Sequence, residues 1–157
     1  MLLTHIRDDW AGRYRRILEN NQAEWVKIGG QFAADPAQVP IFMLELFRSW
    51  QHNEESILSR VTRFHLVFET IHPFCDGNGR IGRVVMNYQL ESLGYPPIIV
   101  QNKEKKFYYD AFRLYRDEGN IAAMEKIILL GLIESLHKRI AYLRADEIVW
   151  LDTCVAK

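Results

Sequence analysis

HPFCDGNGRIGR, residues 72–83, is the stretch on which the reading of this chain turns. It holds a histidine, an acid, a run of small residues and two arginines in a short span. These are the parts of a phosphate-handling site. His72 is a base that is largely neutral at pH 7. Asp76 is a hard oxygen ligand suited to Mg²⁺. Gly77-Asn78-Gly79 lets backbone N–H groups approach an anion, because glycine has no Cβ in the way. Arg80 and Arg83 are fixed cations that grip phosphate oxygens in a bidentate manner.

Upstream of this stretch, Ile57, Val61, Phe64, Phe68 and Ile71 recur at helical spacing, which predicts one buried-faced helix over 54–71. Pro73 ends it, since the residue before proline disfavours the α region. Downstream, Ile81, Val84, Val85, Tyr88, Leu90 and Leu93 predict a second helix, stopped by Gly94-Tyr95-Pro96-Pro97. The glycine loop therefore opens a helix, whose free N–H groups and positive dipole end favour anions.

Further out, residues 2–19 read as helical, with Leu3, Ile6, Trp10, Tyr14 and Ile17 near one face and a break at Gly12. Trp25, Val26 and Ile28 followed by Gly29-Gly30 predict a short hairpin. Pro36 and Pro40 bracket a loop, and Val39, Met43, Leu46, Phe47 and Trp50 mark a helix. Lys103 to Lys106 reads as a solvated loop. Tyr108 to Tyr115 predicts a short helix ending near Gly119. From Ile121 a longer helix runs toward Trp150, with Leu136, Ile140 and Leu143 expected to pack on the core. His65 reads as a helix residue, and His52 and His137 as surface, none in a site. The expectation is an all-α protein with one short β-hairpin.

Composition bounds the function. The chain has 157 residues, 48% hydrophobic and 25% charged, with zero net charge, as for one globular domain. Zero net charge gives no electrostatic case for nucleic acid, so phosphate affinity must be local. Cys75 and Cys154 are too few for a disulfide framework or zinc cluster. The apolar run Ile127 to Ile133 is too short to span a bilayer. Charges by Arg7 argue against a signal peptide. A cytoplasmic protein is expected, or one delivered into a host cell, without membrane or direct nucleic-acid binding.

HPFCDGNGRIGR resembles the Fic (Fido) family signature HPFx(D/E)GNGRxxR at every specified position. Similarity covers about residues 2–134. AGRYR (11–15) looks like the family's AGxYR segment, EWVKIGG like its target-docking flap, and YYDAFRLYRDEGN like its Tyr-Tyr helix and acidic turn. Residues 135–157 carry no family pattern and are expected to form a helical extension packed on the same domain.

The resemblance implies a mainly helical Fic fold and a nucleotidyltransferase, a protein adenylyltransferase that moves AMP from ATP to a Ser, Thr or Tyr hydroxyl of a target protein. His72 would be the base. Asp76 would hold Mg²⁺. Gly77, Asn78 and Gly79 would surround the phosphates, the Asn78 side chain on the α-phosphate, and Arg80 and Arg83 would hold the β- and γ-phosphates. Phe74 would anchor the loop. Val26, Lys27, Ile28 and Gly29 would form a flap that registers the target as an added strand and covers ATP. Tyr108 and Tyr109 would lie near the adenine. Where the family often has an asparagine contacting the base, this chain has Arg116 or Asp117, which opens the question of base specificity.

The family's inhibitory pattern, (S/T)xxxE(G/N), is absent; Glu118-Gly119 has Leu114 where the pattern needs Ser or Thr. The resemblance thus implies inhibition by a partner protein supplying the glutamate, as in toxin–antitoxin members, by a flanking segment, or not at all. Alternatives are another nucleotidyl or phospho-group transfer within the family, and a silent interaction module. Kinase-like members carry lysine at the Gly79 place and alanine at Gly77, so both glycines argue against that branch.

Overall fold

The computed structural model describes residues 11–52, 54–100 and 105–155, with side chains up to Arg144. A two-stranded hairpin, β1 (Lys27–Ile28) and β2 (Gln31–Phe32), precedes five helices: α1 (Val39–His52), α2 (Ile57–Ile71), α3 (Asn78–Ser92), α4 (Lys105–Glu118) and α5 (Ala122–Val155). The strands are antiparallel, with Lys27 opposite Phe32 and Ile28 opposite Gln31. Gly29 and Gly30 close the turn at φ 57° and 89°, a left-handed pair that side chains resist.

Helix α2 is the axle. It contacts α1, α3, α4 and α5, and Val61, Leu66 and Phe68 are almost wholly buried. Apolar residues on opposite faces of one helix must be covered from both sides, so two clusters form. One joins Val61 and Leu66 to Met86, Leu90, Ile98, Tyr108, Ala111, Met124, Ile128 and Leu132. The other joins Phe64, Phe68 and Ile71 to Val39, Met43 and Leu46. Ser56 caps α2 by accepting from Ser59 N. Gly94, at φ 85°, turns the chain after α3 while Tyr95 N returns to Leu90 O, the C-terminal stop that the Gly-Tyr-Pro-Pro run predicts.

Several expectations are corrected. The helix over 2–19 is not formed from residue 11 on; residues 11–19 are turn and extended chain with a bridge between Ile17 and Ala23. The reason is Arg15, whose side chain is drawn inward and whose N–H binds Pro73 O instead of a helical carbonyl. The part of that helix at residues 2–10 lies outside the described residues, as do Lys103 and Glu104. Lys105 and Lys106 belong to α4 rather than to a loop. Pro40 lies inside the first turn of α1, where its missing N–H costs nothing. On α3 the buried face is Gly82, Met86, Gln89 and Leu90, while Val84 and Tyr88 are exposed. Leu136, Ile140 and Leu143 do not pack on the core: they are 40%, 45% and 58% exposed, because α5 outruns its last core anchor, Leu132. Helix α5 runs unbroken through residues 134 and 135.

Candidate active site

Residues 72–77 form the turn between α2 and α3, and residues 78–83 open α3. His72 terminates α2 in the left-handed region, φ 52° and ψ 63°, with its N–H still bonded to Phe68 O. A non-glycine residue there needs support from its surroundings. Arg15 supplies it. Its side chain is fully buried. Nε donates to His72 O at 2.7 Å, Nη2 to Ile71 O at 3.0 Å and Ala34 O at 2.9 Å, and Nη1 to Glu24 O at 3.0 Å. One guanidinium fork thus ties the catalytic-type turn to both roots of the hairpin. The adjacent Arg13–Glu24 pair, at 2.6 and 2.7 Å, holds the same root.

The turn is latched from below by Asn78. Its Oδ1 accepts from Phe74 N at 2.8 Å and its Nδ2 donates to Phe74 O at 2.7 Å. Both ends of this buried amide are therefore committed to the loop. Phe74 packs against Tyr14 and Phe68, ring centroids 5.5 and 6.5 Å apart. Gly77 takes φ 81°, a conformation that opens the helix and leaves its N–H on Asp76 Oδ1 at 2.6 Å. Asp76 and Arg80 lie at the outer lip, over half exposed, and meet at 3.4 Å.

Between this turn, the hairpin tip and α4 lies a cavity of about 680 Å³. Ile28 and Gly29 border it from the hairpin, His72 and Glu69 from α2, Gly79 and Arg83 from α3. From α4 come Tyr108, Tyr109, Asp110, Phe112, Arg113 and Arg116. The fold thus brings together seven residues singled out from the sequence: Ile28, Gly29, His72, Gly79, Arg83, Tyr108 and Tyr109. Asp76 and Gly77 of the turn, and Asn78 and Arg80 in the first turn of α3, do not line this cavity. Val26 is half-buried in the hairpin, and Lys27 turns away, its Nζ 4.8 Å over the Phe32 ring.

The electrostatics suit a base beside an anion site. Burial lowers the His72 pKa, the bond to the Glu69 carbonyl and the Asp76 charge push it back up, and Arg15 lowers it further. The ring is neutral at pH 7. Its Nδ1 lies 3.1 Å from Glu69 O; a proton on Nδ1 donates there and leaves Nε2 as the basic nitrogen. Among the described residues no carboxylate is ion-paired with Arg83.

Three groups escape the sequence reading. Arg15 was visible only as part of AGRYR; no periodicity marks an arginine about to be buried in extended chain. Glu69 had a usable signal, since it precedes His72 by three and so shares its helix face. Its carboxyl lies 3.7 Å from His72 Nδ1, and burial raises its pKa to about 7 against the pull of Arg83. The third is His65. Rather than a plain helix residue, it is buried with Nε2 2.6 Å from the Tyr108 hydroxyl, and burial lowers its pKa to about 4. Tyr108 is thereby a wall of the cavity with its hydroxyl committed, while Tyr109 is 58% exposed at the rim.

Residues 1–90 match the family model described as Fic/DOC family. The chain belongs to the Fic/DOC family. It is 34% identical over 131 residues to a protein adenylyltransferase Fic of Culex quinquefasciatus, across 81% of this chain and 24% of that one. It is 35% identical over 108 residues to a probable protein adenylyltransferase of Aquifex aeolicus, across 68% of this chain and 33% of that one. A Fic family protein from Desulfovibrio desulfuricans superposes with a TM-score of 0.72 at 27% identity, over 90% of this chain and 44% of that one. The chain thus spans a quarter to a third of the length of these curated relatives. The fold class expected from the sequence, helical with one small hairpin, is the observed one. Among the described residues, no helix is long and apolar enough to cross a membrane.

Proposed function

We propose that this Fic domain is a protein adenylyltransferase that joins AMP from ATP to a Ser, Thr or Tyr hydroxyl of a target protein. The observation that carries the reading is the meeting of His72, Gly79 and Arg83 on one cavity beneath the hairpin tip. A neutral base, a helix start with free N–H groups and a cation on one cavity support a reading in which they serve a hydroxyl, an α-phosphate and a polyphosphate tail. Curated relatives named as protein adenylyltransferases support it.

In this reading His72 Nε2 takes the proton as the hydroxyl oxygen bonds to the α-phosphorus. The bond from that phosphorus to the bridging oxygen breaks, and pyrophosphate leaves. Such a displacement needs positioning and charge neutralisation above all. Gly79 and the first N–H groups of α3 face the phosphates, and Arg83 and Arg80 hold the tail. The Asn78 side chain is engaged with Phe74, so phosphate contact from this residue falls to its backbone N–H. Asp76 fits Mg²⁺, which binds through few carboxylates plus substrate phosphates: its carboxylate is exposed at the lip, with Oδ1 accepting from Gly77 N–H and Oδ2 3.4 Å from an exposed arginine. The metal would supply charge neutralisation there. Ile28 and Gly29 cover the nucleotide while the short free edge of the hairpin pairs with the target segment, Val26 and Lys27 included. Tyr109, with Asp110, Arg113 and Arg116, lines the base end; these charged groups offer hydrogen bonds that stacking alone does not, and set the preference for ATP. An outside glutamate paired with Arg83 would inhibit, since among the described residues no carboxylate is ion-paired with that arginine.

The test is transfer of label from α-labelled ATP with Mg²⁺ into proteins of a cell lysate. The parent chain should label a discrete band. His72→Ala should label none while still binding ATP. Label at parental rate from His72→Ala would refute the assignment of the base. A higher kcat/KM with another nucleoside triphosphate would refute the donor alone.

A further inference from the structure

We infer that Glu69 is the positioning residue of His72: it sits one helical turn behind the base, orients the ring, and pairs with the positive charge the ring takes up during transfer. This rests on the reading of His72 as the base. The geometry is specific. Glu69 is 8% exposed, yet among the described residues its Oε1 has no hydrogen-bond partner. A buried carboxyl oxygen left so is costly and calls for a reason. Its Oε2 stands 3.7 Å from His72 Nδ1. The facing helix makes room for it: a Cβ on Gly82 would overlap Oε1, and one on Gly79 would lie 3.9 Å from Oε1 and 3.3 Å from Arg83 Nη1. Two glycines on one face of α3 thus leave a bay that holds the acid beside the base, within reach of the Arg83 charge.

Other charged groups bear on the pair from each neighbouring element. Arg15 and Asp76 act on His72 from the N-terminal segment and the turn. Arg83 from α3 acts on Glu69, and the Tyr108 hydroxyl faces both. His65, one turn earlier on α2, is buried neutral, and Arg116 borders Glu69 from α4. Burial pushes the acid up and the base down, so with one proton between them the two groups compete for it. The neutral ring accepts a proton more readily once Glu69 has lost its own, because the carboxylate then faces the developing positive charge. Once the target hydroxyl has given its proton to Nε2, the imidazolium stands against the Glu69 carboxylate. Nδ1 remains directed at the Glu69 carbonyl, so the tautomer is preserved.

Glu69→Gln tests this on the whole chain, with the His72 ring followed by NMR titration and transfer from Mg·ATP followed against pH. In the parent the ring should titrate in two steps, the upper near 7, the value to which Glu69 is raised. In Glu69→Gln the upper step should vanish and a single step remain below the usual histidine range. The kcat should fall by roughly tenfold, the scale of one pKa unit in charge stabilisation, with KM for ATP little changed. The acid limb of kcat/KM should move to lower pH. Superimposable His72 titrations in the two proteins would overturn the inference. The expected titrations without transfer by the parent would refute the adenylyltransferase reading and leave the Glu69–His72 coupling standing. If Glu69→Gln loses its native circular dichroism, Glu69→Asp decides: the shortened acid should keep two steps with the upper one lowered, and a single step overturns the inference.

Discussion

Arg15 gives the sharpest prediction. Replacement by Met keeps the stem and removes the fork. Four carbonyls lose a donor, those of His72, Ile71, Ala34 and Glu24. Hydrogen bonds to a charged group contribute about 1.5–3 kcal/mol each, which would sum to roughly 6–12 kcal/mol. That sum is too large, because the guanidinium's own desolvation penalty is relieved and the exposed ends of the loops can turn to water. Removing one side of a buried charged network costs about 3–5 kcal/mol, and that is the expected loss. It is a large share of the roughly 5–15 kcal/mol available to a domain. At this size Tm falls about 2–4 °C for each kcal/mol, so a drop of roughly 6–20 °C should appear. Urea denaturation followed by tryptophan fluorescence measures it directly. Arg15→Lys, with the charge but no planar fork, should lie between. A loss under about 1 kcal/mol for Arg15→Met would show that these contacts do not hold the turn.

Two more outcomes follow from the packing. Gly82→Ala would ordinarily gain helix stability by about 1 kcal/mol, but here the new methyl meets Glu69 Oε1 and lies 3.2 Å from Phe68 Cδ1, so a net loss of about 1–3 kcal/mol in urea titration is expected; a gain would mean that α2 and α3 do not pack this closely. His65 has a folded pKa of about 4 and an ordinary value of 6.5, so the unfolded chain takes its proton first. The parent should therefore lose stability relative to His65→Gln as pH falls from 6.5 toward 4, by on the order of 3 kcal/mol. Glu69 titrates in both proteins and drops out of the difference. A pH-independent difference between the two would refute the buried neutral histidine.

Sequence alone determined the family, the helical class, the hairpin and the turn, because these rest on local rules. Gly29-Gly30 favours a left-handed turn, Pro73 behind a helical run stops it, and the 3.6-residue spacing of Val61, Phe64, Phe68 and Ile71 dictates a buried face. It also named the groups with intrinsic chemistry, His72 and Arg83, whose character does not depend on neighbours. Tertiary structure alone decided which polar groups are buried and against what. Arg15 is indistinguishable from a surface arginine until the hairpin roots and the end of α2 surround it. Glu69 and His65 are ordinary helix residues until α3 and α4 close over them and shift their protons. The outer part of α5 shows the converse: Leu136, Ile140 and Leu143 have the spacing of a core face, but periodicity reports only that a face is apolar, and the body of the domain ends at Leu132. Burial is a property of what arrives from elsewhere in the chain, so no local pattern encodes it.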